Sequence, residues 1–368
     1  MKRLLVVCTT DSMIWNFLVP HIKELEKQGY YVECASSVTG NFYNDLVNDY
    51  GIKMNEIPFE RSPYKLSNMK AYKLLCNLIK KKKFDTIFCH EPVGGAIGRL
   101  VGQRCGCKVV YMAHGFHFYK GAPKSRKIYY VVEKFLSRYT DLLITINQED
   151  YEASLTFHAK KNVKIHGVGV DTTKFKKDTT VCNYLRNEFH LPDNAVTLLS
   201  VGELIPRKNH STIIRAIENI GIDNLYYFVA GDGELMEDLK KEILDLKLQN
   251  QVHLLGYRTD IGKLCNSADI FVMPSVHEGL SVALMEAMCC GKPVVASKIR
   301  GNVDLIDEGK GGFLSPTFNV EAYAKQIKKL ILSRDLGDKF GDYNENKVKN
   351  FDIIPVREEL IQELISEE

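Results

Sequence analysis

Two glutamates, Glu278 and Glu286, stand either side of what the surrounding residues mark as the start of a helix. Upstream, the β-branched and aromatic run Ile270–Met273 reads as a strand that Pro274 stops. Ser281 suits the helix N-cap, Gly291 the residue after its end, and Pro293 bars continuation before a further strand, Val294–Ala296. The segment Gly279, Leu280, Ser281, Val282 then forms a helix start at the carboxyl edge of a sheet. The first N–H groups of a helix lack intrahelical partners and its dipole favours negative charge, so such a start attracts anions. Gly279 lets a ligand approach the backbone closely. Eight helical residues rise about 12 Å, the reach needed to touch hydroxyls at both ends of a sugar–diphosphate–ribose ligand. One glutamate alone would read as a solvated surface acid; the whole loop–Glu–Gly–helix–Glu unit reads as a site.

Other residues supply complementary chemistry. Gly202 ends a strand, and Arg207-Lys208-Asn209 opens the helix that follows. Two cations beside helix-start amides can clamp a diphosphate and stabilise it as it leaves with added negative charge. His114 follows a buried strand and precedes Gly115, and His90-Glu91-Pro92 follows another; both histidines are cleft candidates. Ser12 and the sole tryptophan, Trp15, lie in the loop after the first strand, and His117 lies beyond His114; these three, with His90, are read as acceptor contacts. Gly231-Asp-Gly233 lacks a full phosphate-loop pattern and is read as a turn, and Arg300-Gly-Asn302 follows a strand that borders the same site. A glycosidase pair would need carboxyls about 5–9.5 Å apart flanking one bond, which Glu278 and Glu286 fit poorly.

The elements that must position these residues alternate regularly. Strands are expected at Leu4–Cys8, Tyr31–Ala35, Thr86–Cys89, Val109–Ala113, Leu142–Ile146 and Val163–Ile165. A second run follows at Thr197–Val201, Tyr226–Ala230, Val252–Leu255, Ile270–Met273 and Val294–Ala296, with helix-length stretches between. This is the grammar of two doubly wound, Rossmann-like α/β domains, with ligands at the carboxyl ends of the strands in a central cleft. The expected division is an N-terminal acceptor domain over 1–166, a linker over 167–191, a C-terminal donor domain over 192–348, and a terminal helix over 349–368 that returns to the first domain.

Composition bounds the rest. With 368 residues, 45% hydrophobic and 26% charged, the chain reads as a soluble globular protein of two ordinary domains. No apolar run approaches the roughly 18–20 residues of a membrane span. Met1-Lys-Arg-Leu-Leu-Val-Val-Cys8 is too short an apolar run for a signal peptide and reads as a buried strand. Ten cysteines without a Cys-x2-Cys pair suggest reduced core thiols in a cytoplasmic protein, with neither zinc nor a disulfide framework. The net charge of +3 conceals an asymmetry: residues 1–165 carry 25 Lys and Arg against 15 Asp and Glu, the remainder 24 against 31. The excess at Arg61, Lys65, Lys70, Lys73, Lys80–Lys83 and Lys120–Lys127 suits an anionic membrane surface, peripherally bound, or a phosphate-bearing acceptor. No nucleic-acid module accompanies it.

Glu278-x7-Glu286, within His-Glu-Gly-Leu-Ser and Leu-Met-Glu-Ala-Met, followed by Gly291-Lys-Pro-Val-Val-Ala, resembles the donor-site signature of family 4 retaining glycosyltransferases of the GT-B fold. Ser200-Val-Gly-Glu-Leu-Ile-Pro-Arg-Lys-Asn-His210 is similar to that family's phosphate-binding segment. Ala113-His-Gly-Phe-His-Phe-Tyr-Lys-Gly121 and His166-Gly-Val-Gly-Val-Asp171 resemble its capsule and exopolysaccharide branch. The resemblance runs nearly the whole length of the chain. It implies transfer of a hexosyl or N-acetylhexosaminyl group from a nucleotide-diphosphate sugar, a UDP-sugar by expectation, to a lipid-linked glycan at the inner face of the plasma membrane. It implies no metal or other cofactor. By this resemblance Lys208 binds the diphosphate, Glu278 holds the donor sugar, Glu286 the ribose, His114 lies by the reacting sugar, and Tyr257–Ile261 is similar to the stretch whose backbone reads the nucleotide base, where Arg258 can stack or hydrogen-bond. The chain departs from the pattern at Glu203, where the family often has Arg, and Arg207 is expected to supply that charge. A GT-B nucleotide-sugar 2-epimerase and a non-catalytic nucleotide-sugar-binding protein are the alternatives.

Overall fold

The computed structural model describes residues 2–40 and 42–366. The chain forms two compact units, Met1–Val168 with Ile354–Glu368, and Gly169–Ile353.

The first unit is built on a parallel seven-stranded sheet: β1 (Arg3–Thr10), β2 (Tyr31–Ser37), β3 (Met54–Glu56), β4 (Thr86–His90), β5 (Lys108–Ala113), β6 (Leu142–Thr145) and β7 (Lys161–Lys164), in the order 3-2-1-4-5-6-7. Strands with helices on both faces read as unbroken apolar runs, as Leu4–Cys8 does, and these residues are fully buried. Helices α1 (Ser67–Lys82), α2 (Pro92–Cys105) and α3 (Lys127–Leu136) pack on one face, through Ala71, Leu75 and Ile79 of α1, Val93, Ile97 and Val101 of α2, and Tyr130 of α3.

Helix α2 lies unusually close to the sheet. Added Cβ atoms at Gly94 and Gly102 would come within 2.8 Å of Thr9 N and 2.6 Å of Val109 Cγ2, and at Gly95 and Gly98 they would collide with the Tyr111 ring and Cys89 Sγ.

The second unit carries a parallel six-stranded sheet: β8 (Val196–Val201), β9 (Leu225–Ala230), β10 (Val252–Gly256), β11 (Ile270–Met273), β12 (Val294–Ser297) and β13 (Gly312–Ser315), in the order 10-9-8-11-12-13. Alternate strand residues feed two cores: Leu199, Phe228 and Phe271 point to one face, Leu198, Tyr227 and Val272 to the other. Helices α4 (Tyr184–Glu188), α5 (His210–Ile220) and α6 (Val282–Cys289) bear on the site.

One expected boundary reads differently in the structure. The segment 167–191 is not a free linker: from Gly169 onward it is part of the second unit, where Phe175 and Leu185 enter the core and Val170 N donates to Phe351 O at 2.9 Å. Buried apolar side chains decide this, although the stretch shows no long periodicity. The terminal helix α7 (Ile353–Ile365) packs within the first unit through Val356, Leu360, Ile361 and Leu364, with Glu363 paired to Lys161 at 2.9 Å. Glu367 and Glu368, at the end of the expected tail, lie outside the described residues.

Among the described residues all ten cysteines are free thiols, and no helix is long and apolar enough to cross a membrane.

Candidate active site

In the second unit, two loops at the carboxyl edge of the sheet are clipped together. Asn209, in the left-handed region at φ 55°, donates through its side-chain amide to Pro274 O at 3.0 Å, and Val276 N donates to Arg207 O at 2.8 Å. These bonds tie the segment after β8 to the segment after β11. Lys208 Nζ therefore meets Glu278 Oε1 at 2.8 Å, while Arg207 Nη1 meets Glu278 Oε2 at 3.0 Å and His277 O at 3.1 Å. Burial alone would push the Glu278 carboxyl up, but Lys208 and Arg207 outweigh it and hold it below its ordinary value, so it stays ionised. Gly202 makes room for the lysine stem, since a Cβ there would stand 3.1 Å from Lys208 Cε. Glu203 is exposed.

Arg300 joins this set from below. It is buried, donates from Nε to Glu278 O at 3.1 Å, and lies 2.8 Å through Nη2 from His277 Nε2. It holds the backbone of the loop that carries the glutamate. Gly301 lies so close to Gly279 that a Cβ would strike the Gly279 carbonyl, and Gly231 lies as close to the carbonyl of Gly202. The Gly231-Asp-Gly233 turn thus supports the loop after β8 from its neighbour strand.

Ser281 caps α6, accepting from Leu284 N at 3.3 Å, and Gly291 takes φ 65° beyond its end. Gly279, Leu280 and Val282 line this helix start as expected from the sequence. Glu286, within α6, is half-buried and its carboxyl has no hydrogen-bond partner among the described residues; burial pushes it up to about 7, against a weaker pull from Lys174.

Arg258 lies in a cluster of ion pairs after β10. Its guanidinium donates to Asp260 at 2.8 and 2.6 Å, to Glu188 at 2.7 and 3.1 Å, and to the Tyr184 hydroxyl at 3.2 Å. These two carboxylates hold the guanidinium, so the side chain ties α4 to the loop after β10.

In the first unit, His90 ends β4 and His114 follows β5; His90 Nδ1 and His114 Nε2 are 2.9 Å apart. Burial drives both imidazoles to their neutral forms, His114 down to about 3, with a further contribution from the buried His21. One ring must therefore donate to the other. His90 Nε2 is buried without a hydrogen-bond partner among the described residues.

Glu91 is a residue whose importance its spacing does not reveal. It sits at φ 60°, ψ 162°, a costly conformation for a side-chain-bearing residue, and its carboxylate accepts from Thr9 N at 2.8 Å and Thr10 N at 3.0 Å. The proline that follows, Pro92, is the one local signal.

Ser12 Oγ lies 3.0 Å from Thr10 Oγ1 in the same cluster. Trp15 sits in a π-helical turn, Ile14–Leu18, its ring 5.4 Å from Phe42. His117 stands apart, against Tyr129 at 5.2 Å. Among the described residues no group of three or more His, Cys, Asp and Glu is arranged to hold a metal ion.

A parallel α/β unit thus carries two cations and an ionised glutamate at its strand ends. Residues 184–347 match the family described as glycosyl transferases group 1, and residues 4–147 match glycosyl transferase 4-like. EpsD of Bacillus subtilis (strain 168), assigned as a glycosyltransferase, is 33% identical over 95% of this chain and 93% of its own length. The UDP-Gal:alpha-D-GlcNAc-diphosphoundecaprenol alpha-1,3-galactosyltransferase of Escherichia coli is 31% identical over 78% of this chain and 77% of its own. Anabaena Alr3699/HepE, solved in complex with UDP, superposes with a TM-score of 0.83 at 20% identity, covering 99% of both chains. The chain belongs to the group 1, family 4-like glycosyltransferases. Its two parallel-sheet units have the GT-B fold.

Proposed function

We propose that this enzyme transfers a hexosyl or N-acetylhexosaminyl group from a UDP-sugar to a lipid-linked glycan during synthesis of a cell-surface polysaccharide, with retention of anomeric configuration. It works in the cytoplasm, bound peripherally at the inner face of the plasma membrane. The observation that carries this reading is the Glu278 carboxylate held between Lys208 and Arg207 at a helix start, with Glu286 left unpartnered within that helix. The UDP complex of the Anabaena neighbour and the diphosphoundecaprenol acceptor named for the Escherichia coli relative support the donor and acceptor classes.

In this reading the cations take the diphosphate and strengthen their hold as it departs, so positive side chains and helix N–H groups do the work of a metal ion. Glu278 receives donor-sugar hydroxyls, and Glu286 receives those of the ribose. The bond from the anomeric carbon to the diphosphate oxygen breaks as the acceptor oxygen bonds to the same carbon. The acceptor's proton passes to the departing diphosphate. His114, neutral and paired with His90, serves as a hydrogen-bonding group to the reacting sugar.

The test is incubation of the purified protein with UDP-sugars and synthetic lipid-diphosphate sugars, followed by mass spectrometry and NMR of the product. A product with the donor's anomeric configuration supports the proposal. Inversion would overturn the retaining mechanism, and conversion of donor alone would point to an epimerase.

A further inference from the structure

Helix α3 exposes a row of large apolar side chains that its own unit leaves uncovered. Ile128, Val131, Val132 and Phe135 follow one another at helical spacing, and each is 42–59% exposed. The opposite side of the same helix is spoken for: Tyr130 packs against the core, Leu136 is buried, and Glu133 bonds to the buried Arg99 at 2.8 Å. Residues 120–138 carry six basic residues, Lys120, Lys124, Arg126, Lys127, Lys134 and Arg138, against the single acid Glu133. Since that acid points inward, the charge presented around the apolar row is positive.

A second patch of the same kind lies at the start of α1. Tyr64, Leu66 and Met69 are 62–84% exposed among Arg61, Lys65, Lys70 and Lys73. Helices α1 and α3 lie on the same face of the sheet, flanking α2. Each leads into the start of a parallel strand, so both N-terminal ends lie at the carboxyl edge, the edge that holds His90 and His114. The run Lys80–Lys83 lies at the other end of α1 and is partly consumed: Lys82 pairs with the buried Glu33 at 2.6 Å, and Lys83 caps the helix. It cannot share a flat surface with the Lys120–Lys127 group.

We propose that the exposed row of α3, together with the α1 patch, is the surface by which the enzyme docks on an anionic lipid bilayer. Apolar side chains enter the headgroup boundary while flanking Lys and Arg reach the anionic headgroups through flexible stems. Charge selects this occupant over a second copy of the chain. A two-fold pairing of α3 would bring like basic flanks together, whereas an anionic bilayer complements them. The proposal rests on the lipid-linked acceptor reading. It places the bilayer beside the edge that carries the acceptor-side residues.

The experiment is sedimentation of the full chain with phosphatidylglycerol-containing and pure phosphatidylcholine vesicles at low and high salt. Two variants are compared, Ile128→Ser/Val131→Ser/Phe135→Ser and Lys124→Gln/Lys127→Gln/Lys134→Gln/Arg138→Gln. The native chain is expected to bind only the anionic vesicles, with salt weakening it. Loss of four cations lowers partitioning about 10²-fold or more, and loss of the apolar row by at least about tenfold. UDP binding and the thermal melting profile stay unchanged in both variants. Binding unaffected by either variant would overturn the proposal. So would a native dimer, seen by analytical ultracentrifugation, that the serine variant dissociates without any vesicle binding. Failure to bind UDP with vesicle binding intact would instead count against the transferase reading alone.

Discussion

Lys208 and Glu278 are 70 residues apart in the chain, yet their charged atoms lie 2.8 Å apart, both side chains nearly buried. The pair exists because β8 and β11 are parallel neighbours, with Ile270 in register with Leu198, so the loops that follow them leave the sheet side by side. Each charge compensates and orients the other. On the proposed reading, a diphosphate arriving at the helix start exchanges one partner for another without building the site anew.

Lys208→Ala is expected to lower kcat/KM by about 10²–10³, the cost of losing one preorganised donor to developing charge. It should affect both donor KM and kcat, and Arg207 keeps Glu278 paired, so the protein remains folded. Steady-state rates with varied donor, alongside circular dichroism, check this. An unchanged kcat would place Lys208 outside the transition state.

Glu286 gives a pH prediction. Its folded-state value of about 7 lies above the ordinary 4.5, so between those pH values the unfolded chain has lost a proton that the folded protein keeps. Stability due to this group therefore falls as pH rises from about 4.5 to 7. Glu286→Gln removes that fall, and its melting temperature should gain on the native protein's between pH 5 and pH 8. Donor hydroxyls favour the charged carboxylate, so donor affinity should rise across pH 6–8 in the native protein only. Calorimetric titrations at several pH values would show this; a flat profile would exclude Glu286 from donor contact.

For Arg258 the structure predicts a stability effect without a donor effect. Arg258→Ala leaves Glu188 and Asp260 facing each other and unties α4 from the loop after β10. A fall in melting temperature of a few degrees is expected, with donor KM within about twofold of native. A large rise in KM with unchanged melting would return Arg258 to the donor site.

The histidine pair should work as a neutral unit. His114 loses its charge near pH 3, so no step in the pH–rate profile between pH 5 and 8 should belong to it. His90→Ala removes the ring nitrogen 2.9 Å from His114 and should lower kcat about tenfold or more through misorientation, with donor KM little changed. If His90→Ala and His114→Ala each cost turnover and the double variant costs the product of the two, the rings act independently.

Metal dependence is decided by chelation. EDTA is expected to leave transfer rates unchanged, because Lys208, Arg207 and helix N–H groups supply the positive charge. Restoration of a chelated, inactive enzyme by Mg²⁺ or Mn²⁺ would overturn that assignment.

Local chemistry was the legible part of the sequence. The cap at Ser281, the turn at Gly291 and the apolar central strands depend on residues close in the chain. Strands β3 and β13 escaped because neither offers a continuous apolar run: Met54-Asn-Glu56 is mostly polar and Gly312–Ser315 opens on glycine. Segment 167–191 looked like a linker because isolated residues, Phe175 and Leu185, anchor it without a repeating pattern. Arg258 could not be assigned from spacing alone, since its fate turns on Glu188 from a different element. Glu91 was hidden for the same reason: its partners, the Thr9 and Thr10 amides, lie 82 and 81 residues away.

The bare face of α2 bears on how the enzyme can be re-engineered. Gly94, Gly95, Gly98 and Gly102 together touch β1, β4 and β5, with no clearance for a methyl group at any of the four. Adding one would lift or tilt the helix, and Glu91 and the His90–His114 pair at its amino end would move with it. The helix behaves as a ruler pressed flat on the sheet, and its thickness sets where the histidines stand. Libraries aimed at a new acceptor preference should therefore hold these four positions fixed and vary the loops around Ser12, Trp15 and His117. There, side chains can change size without shifting the edge they surround.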